Sequence, residues 1–115
     1  MTIPARIKDD LPFLTSLRRD LHAYPELGFE EERTAGIVAR LLEEANITVH
    51  RGLAGTGVVG TLKNGEGPSI ALRADLDALN MQELGTQAHA SKCVGKMHAC
   101  GHDGHTAMLL SLIHI

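Results

Sequence analysis

The decapeptide Met97–Thr106, MHACGHDGHT, holds three histidines, one cysteine, one aspartate and two glycines. Side chains of these types crowd together for few purely structural reasons. Cys100 and His102 are two apart, so they project to the same side of an extended or loop backbone. A thiolate and an imidazole on one side of a loop can hold Zn²⁺ or a similar first-row ion. Gly101 and Gly104 allow a sharp turn and a close backbone approach. Asp103 and His105 read as groups that orient ligands from behind. Two ligands do not complete a tetrahedral site, so any further donors must come from elsewhere. The bland alternative is a histidine-rich loop without a metal.

The chain has 115 residues, 43% hydrophobic and 22% charged, which is enough for one small globular domain. Its net charge of −3 gives no basic footprint for nucleic acid. Phe13, Tyr24 and Phe29 are the only aromatic residues, too few for a base-stacking surface. No apolar run approaches the roughly 18 residues of a membrane span, and MTIPARIKDDLP lacks the apolar centre of a signal peptide. These features lead us to expect a cytoplasmic protein. In that reducing setting Cys93 and Cys100 are expected as free thiols, Cys93 as a loop or packing residue.

Along the chain, Asp10 reads as an N-cap with Pro12 in the first turn of a helix carrying Leu14, Leu17 and Leu21. Tyr24-Pro25 ends it. His22, near that end, reads most simply as a partly buried or capping histidine. A second helix is expected from about Glu30 to Ala45, with the run Glu30, Glu31 and Glu32 at its positive end and Asn46 as its stop. Strands are expected over 47–50, 58–62 and 69–74, with a turn at Asn64-Gly65. An irregular segment from Leu79 to Met97 then leads to the histidine–cysteine loop. A buried helix follows from about Asp103, bearing Ala107, Met108, Leu109, Leu110, Leu112 and Ile113. The order predicts an α/β fold with helices packed on a mixed sheet. Asp75 and Asp77 stand just past the third strand, where open α/β sheets bind ligands; a solvated acidic loop is the plain alternative. The apolar close of the chain suggests an incomplete domain, and Ser111–Ile115 can be read as foreign sequence.

Three stretches carry a resemblance: LRRDLHAYPELGFEEERTA (Leu17–Ala35), ALRADLDAL (Ala71–Leu79) and KMHACGHDGHTAMLL (Lys96–Leu110). In this order they resemble the signatures of the amidohydrolase branch of the metal-dependent aminoacylase/carboxypeptidase superfamily, which includes hippurate hydrolase and indole-acetyl-amino-acid hydrolases. The resemblance runs from about Leu11 to Leu110. It implies a zinc-peptidase-like catalytic domain of which residues 1–115 are the N-terminal portion. It also implies a site for two divalent ions, Mn²⁺ or Zn²⁺, with Cys100 and His102 as ligands. Asp75 or Asp77 is implied as an acidic active-site residue. The implied substrate is a small N-acyl amino acid, cleaved at its amide bond. Full-length relatives are expected to be homodimers, with a lid or dimerisation domain that this chain lacks.

Asn80 departs from the pattern, standing where the family has proline. The family's later glutamate pair and two further histidine ligands have no counterpart here. The chain by itself is therefore expected to be inactive. The rival reading is a non-enzymatic metal-binding or interaction module, for which His89 and His98 are the only other nearby donors.

Overall fold

The computed structural model describes residues 3–114. Its elements, in chain order, are helix α1 (Ala5–Ala23), helix α2 (Glu32–Glu44), strand β1 (Thr48–Leu53), strand β2 (Gly57–Thr61), helix α3 (His102–Ser111) and a closing 3₁₀ turn (Leu112–His114).

Helix α1 begins earlier than Asp10. Pro4 stands at its N-cap and Pro12 lies inside it. A proline in a helix interior removes one bond to the carbonyl four residues back. Here that carbonyl belongs to Lys8, and both residues are exposed, so water can serve it. The helix stops at Tyr24, before Pro25, as the pre-proline restriction requires. Its buried side chains are Leu17, Leu21, His22 and Ala23.

Helix α2 is started by a residue well before it. Glu26 Oε1 accepts from the Thr34 amide (2.7 Å) and hydroxyl (2.6 Å), and its Oε2 accepts from the Arg33 amide (2.8 Å). One carboxylate thus satisfies free N–H groups of the first turn at the positive end of the helix. Of the acidic run, Glu32 lies in the first turn, while Glu31 accepts a bond from the Thr56 hydroxyl at 2.6 Å. Asn46 stops the helix with a left-handed backbone, φ 59°.

Leu17, Leu21, Val38, Ala107 and Leu110 form the core. Ile37, Leu41, Leu42, Val58, Leu76 and Ile113 pack around them. The apolar faces of all three helices therefore meet in one place, each fully buried leucine contributing about 1.5–3 kcal/mol. Helix α3 and the turn after it are less buried than their composition suggests: Ala107 and Leu110 face the core, but Met108 and Leu112 are exposed. Of the closing stretch Ser111–Ile115, the last residue lies outside the described residues.

Strands β1 and β2 form an antiparallel hairpin with Thr48 opposite Thr61 and His50 opposite Val59. It packs on α2 through Gly60. A Cβ there would lie 3.1 Å from both Leu42 and Ile47 side chains, so glycine permits the close approach. The expected third strand is not formed. Residues 69–74 pair with no strand among the described residues, and Ile70 and Leu72 are 90% and 62% exposed. An extended backbone becomes a strand only when a neighbour supplies the opposite row of donors and acceptors, and none flanks it here. The sheet is accordingly two-stranded and antiparallel, not mixed.

The irregular segment that follows is held by scattered bonds. Leu79 and Met97 exchange amide-to-carbonyl bonds of 2.9 and 3.0 Å, and the Ala78 amide donates to the Glu26 carbonyl at 2.7 Å. Glu83 closes the loop ahead of it, accepting from the Ser91 amide at 2.6 Å and from the Gln87 side chain. Among the described residues no helix is long and apolar enough to cross a membrane.

Candidate metal centre

His102 opens helix α3. Gly101 before it has φ 89°, a left-handed backbone that glycine adopts without a Cβ penalty. The His102 ring is largely covered, and its Nδ1 lies 2.9 Å from Asp77 Oδ1 and 3.0 Å from the Asp77 carbonyl. Both partners only accept, so Nδ1 is the donor of these bonds, leaving Nε2 out of them. Asp75 Oδ2 stands 3.9 Å from that Nε2.

The two aspartates that the sequence left undivided thus occupy different sides of one imidazole. Asp75 is also ion-paired with Arg73. Its backbone carbonyl accepts from Thr106 Oγ1 at 3.1 Å, tying the segment to α3. Gly28 packs beside Asp77. Cys100 is exposed, and both it and Cys93 are free thiols.

The other side chains of the motif do different things. Asp103 points away from His102 into the protein, where it is 1% exposed. Its Oδ2 accepts from His22 Nδ1 at 2.8 Å and from Arg18 Nε at 3.2 Å. The second ring nitrogen of His22 lies 3.2 Å from Glu83 Oε1. Burial pushes the Asp103 carboxyl up, but the His22 bond, the Gly104 amide and the Arg18 charge outweigh it and hold the group below its ordinary range. Glu83 is likewise held low against its burial, by the Ser91 amide, His22 and Gln87. Asp103 and Glu83 thus hold the two ring nitrogens of His22 from opposite sides.

His22 is therefore a buried junction between α1, α3 and the loop at Glu83, not the partly buried or capping residue that its position suggests. The only sequence signal was its i,i+4 spacing from Arg18. Nothing local marks Glu83. His105 is exposed, its ring 5.8 Å from that of His102. His89 packs edge-on to His22 at 5.6 Å. His98 is buried and finds no hydrogen-bond partner among the described residues; burial holds its imidazole below its ordinary pKa. Among the described residues no group of three or more histidine, cysteine or acidic side chains is arranged to hold a metal ion.

Residues 71–115, which span both Asp75–Asp77 and the Cys100–His102 loop, match the family described as Peptidase family M20/M25/M40. The IAA-amino acid hydrolase ILR1-like 4 of Arabidopsis thaliana is 48% identical over 106 residues, 92% of this chain and 24% of the relative. Hippurate hydrolase of Campylobacter jejuni is 50% identical over 95 residues, 82% of this chain and 25% of the relative. Among solved structures, the Bacillus subtilis YXEP protein, described as a dinuclear metal binding peptidase from the M20 family, superposes with a TM-score of 0.85 at 45% identity. That alignment covers 93% of this chain and 31% of the neighbour. The chain spans about a quarter of the length of the curated relatives it matches. Motif, sequence relatives and backbone agree in their likeness to the M20 peptidase family.

Proposed function

We propose that Cys100 and His102 are ligands of a divalent-metal site that hydrolyses the amide bond of small N-acyl amino acids. The observation that carries this reading is the 2.9 Å bond between His102 Nδ1 and Asp77. A carboxylate behind an imidazole fixes its tautomer and raises its basicity toward a metal. The donor types suit such an ion, a free exposed thiol, an imidazole and the Asp75 carboxylate 3.9 Å from its Nε2, although among the described residues they are not gathered into one cluster of three. The names of the relatives support the amide bond as the target, and the dinuclear neighbour supports a site for two ions.

In this reading Asp77 is the orienting carboxylate, holding the proton on Nδ1 and the ring in place. Asp75 lies on the ligand side, where Arg73 and Thr106 restrain it. A divalent ion held there supplies Lewis acidity toward the scissile carbonyl. Cys100 and His102 fill half of a four-donor site, so the 115-residue chain alone gives no metal-dependent turnover of N-acetyl or N-benzoyl amino acids.

A Co²⁺ titration of the chain tests the ligand assignment. A thiolate-to-cobalt absorption band is expected, lost in Cys100→Ser and weakened in His102→Asn. Absence of the band, or its survival in Cys100→Ser, overturns the assignment. An assay with N-benzoyl amino acids and added Mn²⁺ or Zn²⁺ tests the second point, and turnover by the pure chain overturns it.

A further inference from the structure

We propose that His22 is a positioning residue for the ligand His102, acting through Asp103; this rests on the metal reading above. His102 and Asp103 are consecutive in the first turn of α3, so their side chains leave the axis about 100° apart. One is anchored to Asp77 at 2.9 Å, the other to His22 at 2.8 Å. The anchors lie 25 and 81 residues away along the chain, on separate segments. Turning the first turn of α3 so as to free His102 from Asp77 stretches the Asp103–His22 bond.

Further along the helix Thr106 is bonded to the Asp75 carbonyl and Ala107 and Leu110 are packed in the core, but within the first turn little else resists that rotation. Gly101 and Gly104 flank the pair and contribute no side chains, and a glycine within a helix weakens it relative to alanine. Arg18 also reaches Asp103, but at 3.2 Å and from a side chain that is 49% exposed. The His22 ring, by contrast, is 6% exposed and held from behind by Glu83. His22 thereby sets the rotation of the turn that presents Nε2 of His102.

Two substitutions separate this role from a general structural one. The amide nitrogen of asparagine sits near the position of Nδ1, and that of glutamine near Nε2. His22→Asn therefore keeps a donor for Asp103 and gives up Glu83; His22→Gln does the reverse. Each loses one buried bond. In a Co²⁺ titration His22→Asn stays within about threefold of the wild type, while His22→Gln falls about tenfold or more, the range that a lost outer hydrogen bond costs a metal site. Equal affinities in the two variants overturn the proposal.

The ¹⁵N shifts of His102 in metal-free protein give a readout that needs no metal. The Nδ1–H form persists in His22→Asn and is depleted in His22→Gln; the same tautomer in both overturns the proposal. Should the wild type show no cobalt–thiolate band, the metal reading fails, and these shifts still decide whether His22 orients His102.

Discussion

Glu26 Oε1 accepts both the amide and the hydroxyl hydrogen of Thr34, at 2.7 and 2.6 Å, eight residues along the chain. The loop between them carries Gly28 past Asp77, and the Glu26 carbonyl receives the Ala78 amide. A single residue therefore caps α2 and moors the segment bearing the two aspartates. Glu26→Ala is expected to destabilise the chain by about 1–2 kcal/mol, the cost of a lost helix cap. Urea unfolding followed by circular dichroism measures it; a midpoint equal to the wild type's contradicts the cap.

Asp77 holds the proton on His102 Nδ1, whereas Asp75 faces Nε2. Asp77→Ala should weaken Zn²⁺ or Co²⁺ binding by about 10–100-fold, as the loss of an orienting carboxylate does. Competition against a chromophoric chelator reads the change. Affinity undiminished by the substitution removes the orienting role.

Glu83 links stability to pH. Burial raises its carboxyl, but the Ser91 amide, the bond and charge of His22, and Gln87 together bring it below the ordinary 4.5. A carboxyl lowered by folding contributes stability that is fully present above its unfolded value. That contribution is lost as pH falls through the folded value. The unfolding free energy should therefore decline as pH is lowered from about 5 toward 3. Glu83→Gln should flatten the part of this decline that Glu83 causes, seen in urea midpoints collected across the range.

Asn46 closes α2 at φ 59°, and the amides of Asn46 and Ile47 return to the carbonyls of Glu43 (2.9 Å) and Leu42 (3.0 Å). Left-handed backbone suits glycine and asparagine and penalises a β-branched residue. Asn46→Val is expected to cost about 1–2 kcal/mol, while Asn46→Gly is neutral or better. Thermal unfolding of the two variants should rank them so; a valine variant as stable as the glycine one contradicts the strain.

The amphipathic spacing of Leu14, Leu17 and Leu21, and of Ala35, Val38 and Leu42, was sufficient to locate two helices, because helical periodicity is a property of neighbouring residues. Tyr24-Pro25 and Asn46 marked their ends for the same reason: backbone restrictions act within one or two residues. Cys100 and His102 were equally legible as a candidate pair of donors, since they stand two residues apart.

Long-range pairing was not. That Asp77, and not Asp75, backs His102 depends on contacts 25 residues apart, and either carboxylate fits the local pattern. The burial of His22 between Asp103 and Glu83 joins segments 81 and 61 residues apart. Residues 69–74 have the alternation of a strand but no neighbour to pair with among the described residues, and a ladder needs two rows. Sequence determined where the helices and the hairpin form and which side chains offer metal-binding chemistry; tertiary structure alone decided which carboxylate meets which imidazole, because hydrogen bonds between distant segments exist only after the core has brought those segments together.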